Sequence, residues 1–209
     1  MEAAVPKIKI CGLTSVEDAR ILNQYPVDFA GMVVFFKKSR RNVSLEKAKE
    51  IMNELNTSIK KVAVMVSPTK AQILDVQKLE FDYLQIHGEL ADEVLKAASL
   101  PIIRAVNVES EEKLKGISEL FQNEKVKYVA FDGRKPGNGE TFDWDLIQKY
   151  VDNPEKIMLA GGLNRNNVVK AIRQVHPAIV DVSTGVENST GFGKNDKKVK
   201  QFVETIIHK

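Results

Sequence analysis

Short apolar runs alternate with amphipathic segments along the whole chain. The runs at 7–10, 29–35, 61–66, 83–86, 102–106, 127–131, 156–160 and 179–182 are rich in Val, Ile, Phe or Tyr. Continuous apolar runs of this length mark strands covered on both faces, as in a parallel sheet. The segments between them carry helical spacing. Ser15 opens one, with Asp18 placed three residues on as in a capping box. Ser44 offers an N-cap hydroxyl ahead of Leu45, Ala48, Ile51, Met52 and Leu55. Further helices are predicted over 69–79, 89–98, 110–121, 144–150, 164–175 and 196–207. In 164–175, Asn164 is the expected N-cap, and Val168, Val169, Ile172 and Val175 form the apolar stripe.

Eight strands alternating with eight helices predict an α/β protein, a single-domain (β/α)8 TIM barrel spanning residues 1–209. The competing architecture, an open doubly wound sheet, often carries G-x-G-x-x-G after its first strand. Here that position reads Cys11-Gly12-Leu13-Thr14, and the glycine pattern occurs nowhere in the chain. At 209 residues the chain is short for a barrel, so its loops must be lean. Charge narrows the partners. The 31 basic and 28 acidic residues are scattered and leave a net charge of +3, which predicts neither nucleic-acid nor membrane binding and leaves room for small anionic ligands. No apolar run approaches the roughly 18 residues of a membrane span. The segment Met1-Glu2-Ala3-Ala4-Val5-Pro6 does not read as an export signal. Together with a single cysteine, this predicts a cytoplasmic protein. The oligomeric state stays open between monomer and homodimer.

In a barrel the active site lies at the C-terminal ends of the strands. Polar residues collect at those positions here. The only cysteine, Cys11, follows the first strand; it is either a single proton-transferring or nucleophilic group, or a small buried hydrophobe. Lys37-Lys38-Ser39-Arg40-Arg41 follows the second strand, and one of its arginines is expected to turn inward and grip a carboxylate in a two-point fork. His87 follows the fourth strand and reads as a ligand, a base or a hydrogen-bonded structural residue, the last being favoured. Asp132 ends the sixth strand, as a general acid or base or as a cap for Gly133. Gly161-Gly162 and Ser183-Thr184-Gly185 follow the last two strands, the usual phosphate pair in barrels; the bland reading is that they only permit tight turns. The third and fifth strands end plainly, at Ser67-Pro68 and Asn107. His176 and His208 lie in or after helices, away from His87, so no metal site is predicted.

Taken in order, Lys9-Ile10-Cys11-Gly12-Leu13-Thr14, Ser39-Arg40-Arg41, Gln85-Ile86-His87-Gly88-Glu89, Phe131-Asp132-Gly133, Thr141-Phe142-Asp143-Trp144, Ala160-Gly161-Gly162-Leu163-Asn164 and Val180-Asp181-Val182-Ser183-Thr184-Gly185-Val186-Glu187 resemble the phosphoribosylanthranilate isomerases of tryptophan biosynthesis, nearly end to end. The resemblance implies a cofactor-free Amadori rearrangement of a phosphorylated aminoaldose. It implies Cys11 as the base and Asp132 as the acid, with Arg41 in preference to Arg40 on the substrate carboxylate. It also implies phosphate on Gly161, Gly162, Ser183, Thr184 and Gly185, a sugar hydroxyl on Asp181, and His87 near the site. Two loops depart from the family pattern. Pro136-Gly137-Asn138-Gly139-Glu140 is shorter and lacks one glycine, and Thr190-Gly191-Phe192-Gly193-Lys194 lacks a proline. The rival is the related sugar-phosphate isomerase of histidine biosynthesis, or a dual-substrate enzyme. That relative carries aspartate where Cys11 stands and needs a second anion loop, for which Ser67-Pro68-Thr69 lacks the glycines.

Overall fold

The computed structural model describes residues 5–108, 110–133, 141–190 and 192–208, with Lys113 described in its backbone alone. The strands are β1 (Lys7–Cys11), β2 (Phe29–Val34), β3 (Asn42–Val43), β4 (Lys60–Val66), β5 (Tyr83–His87), β6 (Ile102–Asn107), β7 (Val126–Asp132), β8 (Ile157–Leu159) and β9 (Ile179–Val182). All pair in parallel, in the order β1-β9-β8-β7-β6-β5-β4-β2, and a β1–β2 pair closes the ring. The expected barrel is therefore formed. The two-residue β3, which the apolar pattern does not announce, pairs with the end of β2.

Strand alternation builds two cores. On β1, Ile8 and Ile10 face the helices while Lys9 and Cys11 face the lumen. The lumen holds Phe29, Val62, Val64, Ile103, Ala105, Ala130, Met158 and Ile179. Near the N-terminal ends of the strands, the rings of Phe29, Tyr83 and Tyr128 stand 5.6, 6.3 and 6.2 Å apart, largely edge to face. They plug the floor, so a ligand reaches the lumen from the opposite rim.

The helices are α1 (Val16–Leu22), α2 (Leu45–Glu54), α3 (Lys70–Val76), α4 (Asp92–Ala97), α5 (Ser118–Gln122), α6 (Asp145–Tyr150), α7 (Val168–Val175) and α8 (Asp196–Ile207). Ser15 and Asp18 close a full capping box on α1, and Thr69 with Gln72 does the same on α3. Two helices depart from expectation. The stretch 110–121 splits into a 3-10 turn, Glu111–Leu114, and the short α5, because Gly116 sits between them at φ +79°. Helix α7 starts at Val168 behind Asn167, not at Asn164. Asn164 is spent on the preceding turn. Its Nδ2 and that of Asn167 donate to the Gly162 carbonyl at 3.1 and 2.9 Å. The segment from the end of β8 to α7 is thereby knitted into a rim loop.

Candidate active site

Every residue predicted for the site lines one cavity of about 380 Å³ at the C-terminal rim: Cys11, Arg41, His87, Asp132, Gly161, Gly162, Asp181, Ser183, Thr184 and Gly185. The carriers are strand ends, so the barrel sets their spacing. Cys11 and Asp132 are the last residues of β1 and β7.

Below Cys11 lies a charged pair set by register. Lys9 and Asp181 are direct partners across the β1–β9 ladder, and Lys9 Nζ donates to Asp181 Oδ2 at 2.9 Å. Both side chains are buried. Asp181 Oδ1 has no hydrogen-bond partner among the described residues. Burial lifts the Asp181 carboxyl, and Lys9 opposes that lift. Burial also works against the Lys9 ammonium, yet Asp181 and Cys11 raise it above the ordinary lysine value.

Cys11 is partner to Gly31 in the β1–β2 ladder. A Cβ at Gly31 would stand 2.8 Å from Cys11 Sγ and 3.1 Å from Lys9 Nζ, so only glycine leaves room for both groups. Burial pushes the Cys11 thiol up; Lys9 pulls it down, Asp181 adds to the rise, and Lys194 resists it. The resting group is therefore a thiol. Asp132 is lifted to about 6 by burial, with Asp181 adding to the lift and the Gly133 N–H and Lys9 opposing it. Its Oδ1 accepts from Gly133 N at 2.7 Å. A carboxyl of this kind is partly protonated near neutrality and can give a proton to a leaving oxygen. His87 is pushed down to about 4 by burial, with Lys9 and Arg104 adding to the fall, so its ring is neutral. It lies 3.0 Å from the Gln85 amide. The reading of His87 favoured from the sequence is a hydrogen-bonded structural residue, and the Gln85 contact is of that kind.

The two glycine turns touch. A Cβ at Gly185 would meet the Leu163 carbonyl at 2.2 Å, and Gly161 and Gly162 take φ +81° and +65°. The turns after β8 and β9 thus form one small-walled concavity of the kind that backbone N–H groups make for anions. Among the described residues, no group of three or more His, Cys, Asp or Glu is arranged to hold a metal ion.

Arg41 does make a two-point fork, but its partner is the chain's own Glu187. Nε meets Oε1 at 2.5 Å and Nη2 meets Oε2 at 3.0 Å, while Nη2 also donates to Thr184 Oγ1 at 2.9 Å. Arg40 and Lys194 reach the same carboxylate at 2.8 and 3.3 Å. Burial pushes Glu187 up, but Arg41 and Lys194 hold it below the ordinary value. The inward arginine therefore lines the cavity as a braced group.

Sequence reasoning gave no role to Lys9, Gln85, Glu187 or Lys194. A lysine at a lumen-facing position of a barrel strand was the available signal for Lys9. Nothing local flags Glu187, whose fork partner lies 146 residues away. Of the two departing loops, 136–140 lies wholly outside the described residues, and the other is described apart from Gly191. In that second loop the Lys194 backbone N–H donates to Asp18 Oδ1 at 2.6 Å, tying it to the first turn of α1.

The fold and the site define a (β/α)8 barrel with a carboxyl, a thiol and two abutting glycine turns at its C-terminal rim. Comparison with known proteins narrows the class. The profile of the N-(5'phosphoribosyl)anthranilate (PRA) isomerase family matches residues 8–205. An N-(5'-phosphoribosyl)anthranilate isomerase of Streptococcus pneumoniae (strain Hungary19A-6) is 35% identical over 203 residues, covering 97% of this chain and 96% of that protein. The crystal structure of phosphoribosyl anthranilate isomerase from Thermotoga maritima superposes with a TM-score of 0.84 at 34% identity, covering 98% of this chain and 100% of that one. A phosphoribosyl anthranilate isomerase solved in complex with reduced 1-(o-carboxyphenylamino)-1-deoxyribulose 5-phosphate superposes at 0.81, with the same identity and coverage. The chain belongs to the phosphoribosylanthranilate isomerase family.

Proposed function

We infer that this chain catalyses the Amadori rearrangement of N-(5'-phosphoribosyl)anthranilate to 1-(2-carboxyphenylamino)-1-deoxyribulose 5-phosphate, an isomerase step of tryptophan biosynthesis. The observation that carries the reading is that Cys11, Asp132 and both glycine turns line one rim cavity, in a chain of this family.

Asp132 begins the reaction as general acid. Its carboxyl proton passes to the furanose oxygen, the C1–O bond breaks, and the substrate nitrogen lone pair forms the C1=N⁺ bond. Burial, which lifts Asp132 to about 6, supports that role. The Asp132 carboxylate left behind takes up a proton as the Cys11 thiol gives one up, and the resulting thiolate takes the proton from C2. The C2–H electrons form C1=C2, and the C=N π electrons return to nitrogen. The enolamine tautomerises to the ketone, its C2 hydroxyl losing a proton as C1 gains one, and carboxyl and thiol stand as they began. Nitrogen is the electron sink, so the chemistry calls for no cofactor. Because the resting thiol is pushed up, the cationic iminium itself favours the thiolate at the moment it is needed.

The binding roles follow the chemistry of each group. Gly161, Gly162, Ser183, Thr184 and Gly185 take the phosphate, and Arg41, braced by Glu187, takes the anthranilate carboxylate. Asp181, which lines the cavity, takes a sugar hydroxyl, and His87 bounds the pocket as a neutral wall. We place the enzyme in the cytoplasm; no described helix is long and apolar enough to cross a membrane. The test is turnover. Purified protein should consume freshly made phosphoribosylanthranilate, read as loss of its fluorescence, without added metal or nucleotide. Protein that is folded yet inert in this assay would overturn the reading.

A further inference from the structure

Lys9 is the largest fully buried side chain that the rearrangement leaves without a task. Lysine is almost never fully buried unless paired. Its partner is Asp181, at 2.9 Å, yet the pair is poorly completed: Asp181 Oδ1 and Gln85 Oε1 have no hydrogen-bond partner among the described residues. Stability does not explain such a pair. Burying two charges costs several kcal/mol per ion before their attraction offsets it, and an apolar pair of similar volume is often as stable or more so. The location is more telling. The Lys9 ammonium and the Cys11 sulfur flank the same point, 3.1 and 2.8 Å from where a Gly31 Cβ would stand, and the missing side chain lets them approach.

We propose that Lys9 is a positioning residue of the reaction, the fixed counter-charge against which the Cys11 thiolate forms. This rests on the reading of Cys11 as the base. The other charged groups around the sulfur do not substitute for it. Asp181 disfavours the thiolate, and its charge is met by Lys9. Lys194 favours the thiolate, less strongly than Lys9, and is itself bound to Glu187 at 3.3 Å. Arg41, whose Cδ would lie 2.4 Å from a Cβ on Gly12, is forked onto Glu187. Gly31, the neighbour on β2, carries no charge. Lys9 is thus the positive group that pulls most strongly on the sulfur, and the iminium of the substrate adds to a field that Lys9 has already set.

The test uses the fact that Cys11 is the only cysteine in the chain. The rate of iodoacetamide alkylation against pH reports its thiolate directly, with no substrate present. Lys9→Met removes the charge and keeps the length. Lys9→Met/Asp181→Asn also removes the carboxylate that would otherwise be stranded, and it covers the case in which the single variant does not fold. In folded Lys9→Met the alkylation midpoint should rise by about 1 pH unit, a roughly tenfold lower rate on the limb below it, and in the double variant it should rise by less, because the carboxylate that disfavours the thiolate is gone as well. Turnover should fall in kcat more than in KM, with the rising limb of its pH profile displaced in the same direction. An alkylation curve unmoved in a folded variant overturns the proposal, whether or not turnover falls. Because alkylation needs no turnover, a displaced curve in a protein that fails to isomerise phosphoribosylanthranilate would count for the role of Lys9 and against the assigned reaction.

Discussion

Arg41 and Glu187 hold each other by two parallel contacts, Nε to Oε1 at 2.5 Å and Nη2 to Oε2 at 3.0 Å, across the loops that follow β2 and β9. Forks of this kind fix the guanidinium plane as well as its position. Arg41 reaches the cavity preoriented, at the cost of confining Glu187 among Arg40, Arg41 and Lys194. The same carboxylate therefore aims Arg41, the arginine we propose for the substrate carboxylate, and neutralises the cations around it.

Glu187→Gln keeps the size and removes the charge. Arg41 loses its orienting partner, and KM for phosphoribosylanthranilate should rise about tenfold or more, roughly 1.4 kcal/mol of binding, with kcat changed far less. Three neighbouring cations lose their counter-charge, so Tm should fall as well. Steady-state kinetics and a thermal melt read both effects. An unchanged KM would remove Arg41 from the carboxylate site.

Asp132 ties activity and stability to pH in the same direction. Its folded value of about 6 lies above the ordinary 3.8, so the folded state holds the proton more tightly than the unfolded chain. Stability associated with this group is therefore highest below 3.8, falls as pH rises through the window from 3.8 to 6, and stays reduced above it. Asp132→Asn removes the buried charge. It should raise Tm relative to the parent at pH 8 by an amount that shrinks towards pH 4, with up to roughly 3 kcal/mol at stake. Melts of both proteins at the two pH values check the sign. A gain confined to the acid side would contradict the raised carboxyl. The same group as general acid should make turnover decline as pH climbs past about 6, a limb that vanishes in the variant.

Gly185→Ala places a methyl 2.2 Å from the Leu163 carbonyl and forces the two glycine turns apart. Overpacking of this kind costs typically 1–3 kcal/mol. Inorganic phosphate should protect the parent protein against thermal unfolding and should protect this variant far less. KM should rise while the Cys11 and Asp132 chemistry persists at saturation. Equal protection of both proteins by phosphate would place the anion elsewhere.

The barrel was legible because strands covered on both faces leave continuous apolar runs, and each of those runs became a strand. What blurred was decided by tertiary context. The periodicity of 110–121 runs through Gly116, whose positive φ breaks the helix. Asn164 and Asn167 have the same capping chemistry and both donate to the Gly162 carbonyl, but Asn164 Oδ1 is taken by the Asn166 N–H within the turn, and the helix begins behind Asn167. In the site, Cys11, Asp132 and the glycine turns were readable because they stand where strands end. Lys9 was not, because the run 7–10 reads only as a strand covered on both faces, and it is closure of the barrel that puts Lys9 against Asp181 in the lumen. The Arg41 fork was expected, but its partner was not. A carboxylate 146 residues distant reaches the arginine only when the first and last units of the barrel meet.

The most direct measurement is the consumption of phosphoribosylanthranilate by the parent protein, Cys11→Ser and Asp132→Asn, followed side by side by fluorescence, with circular dichroism confirming that all three are folded. The parent should turn over, and each variant should lose about 10²-fold or more. Full activity in either variant would show that the thiol and the carboxyl facing this cavity are not the base and acid of the reaction.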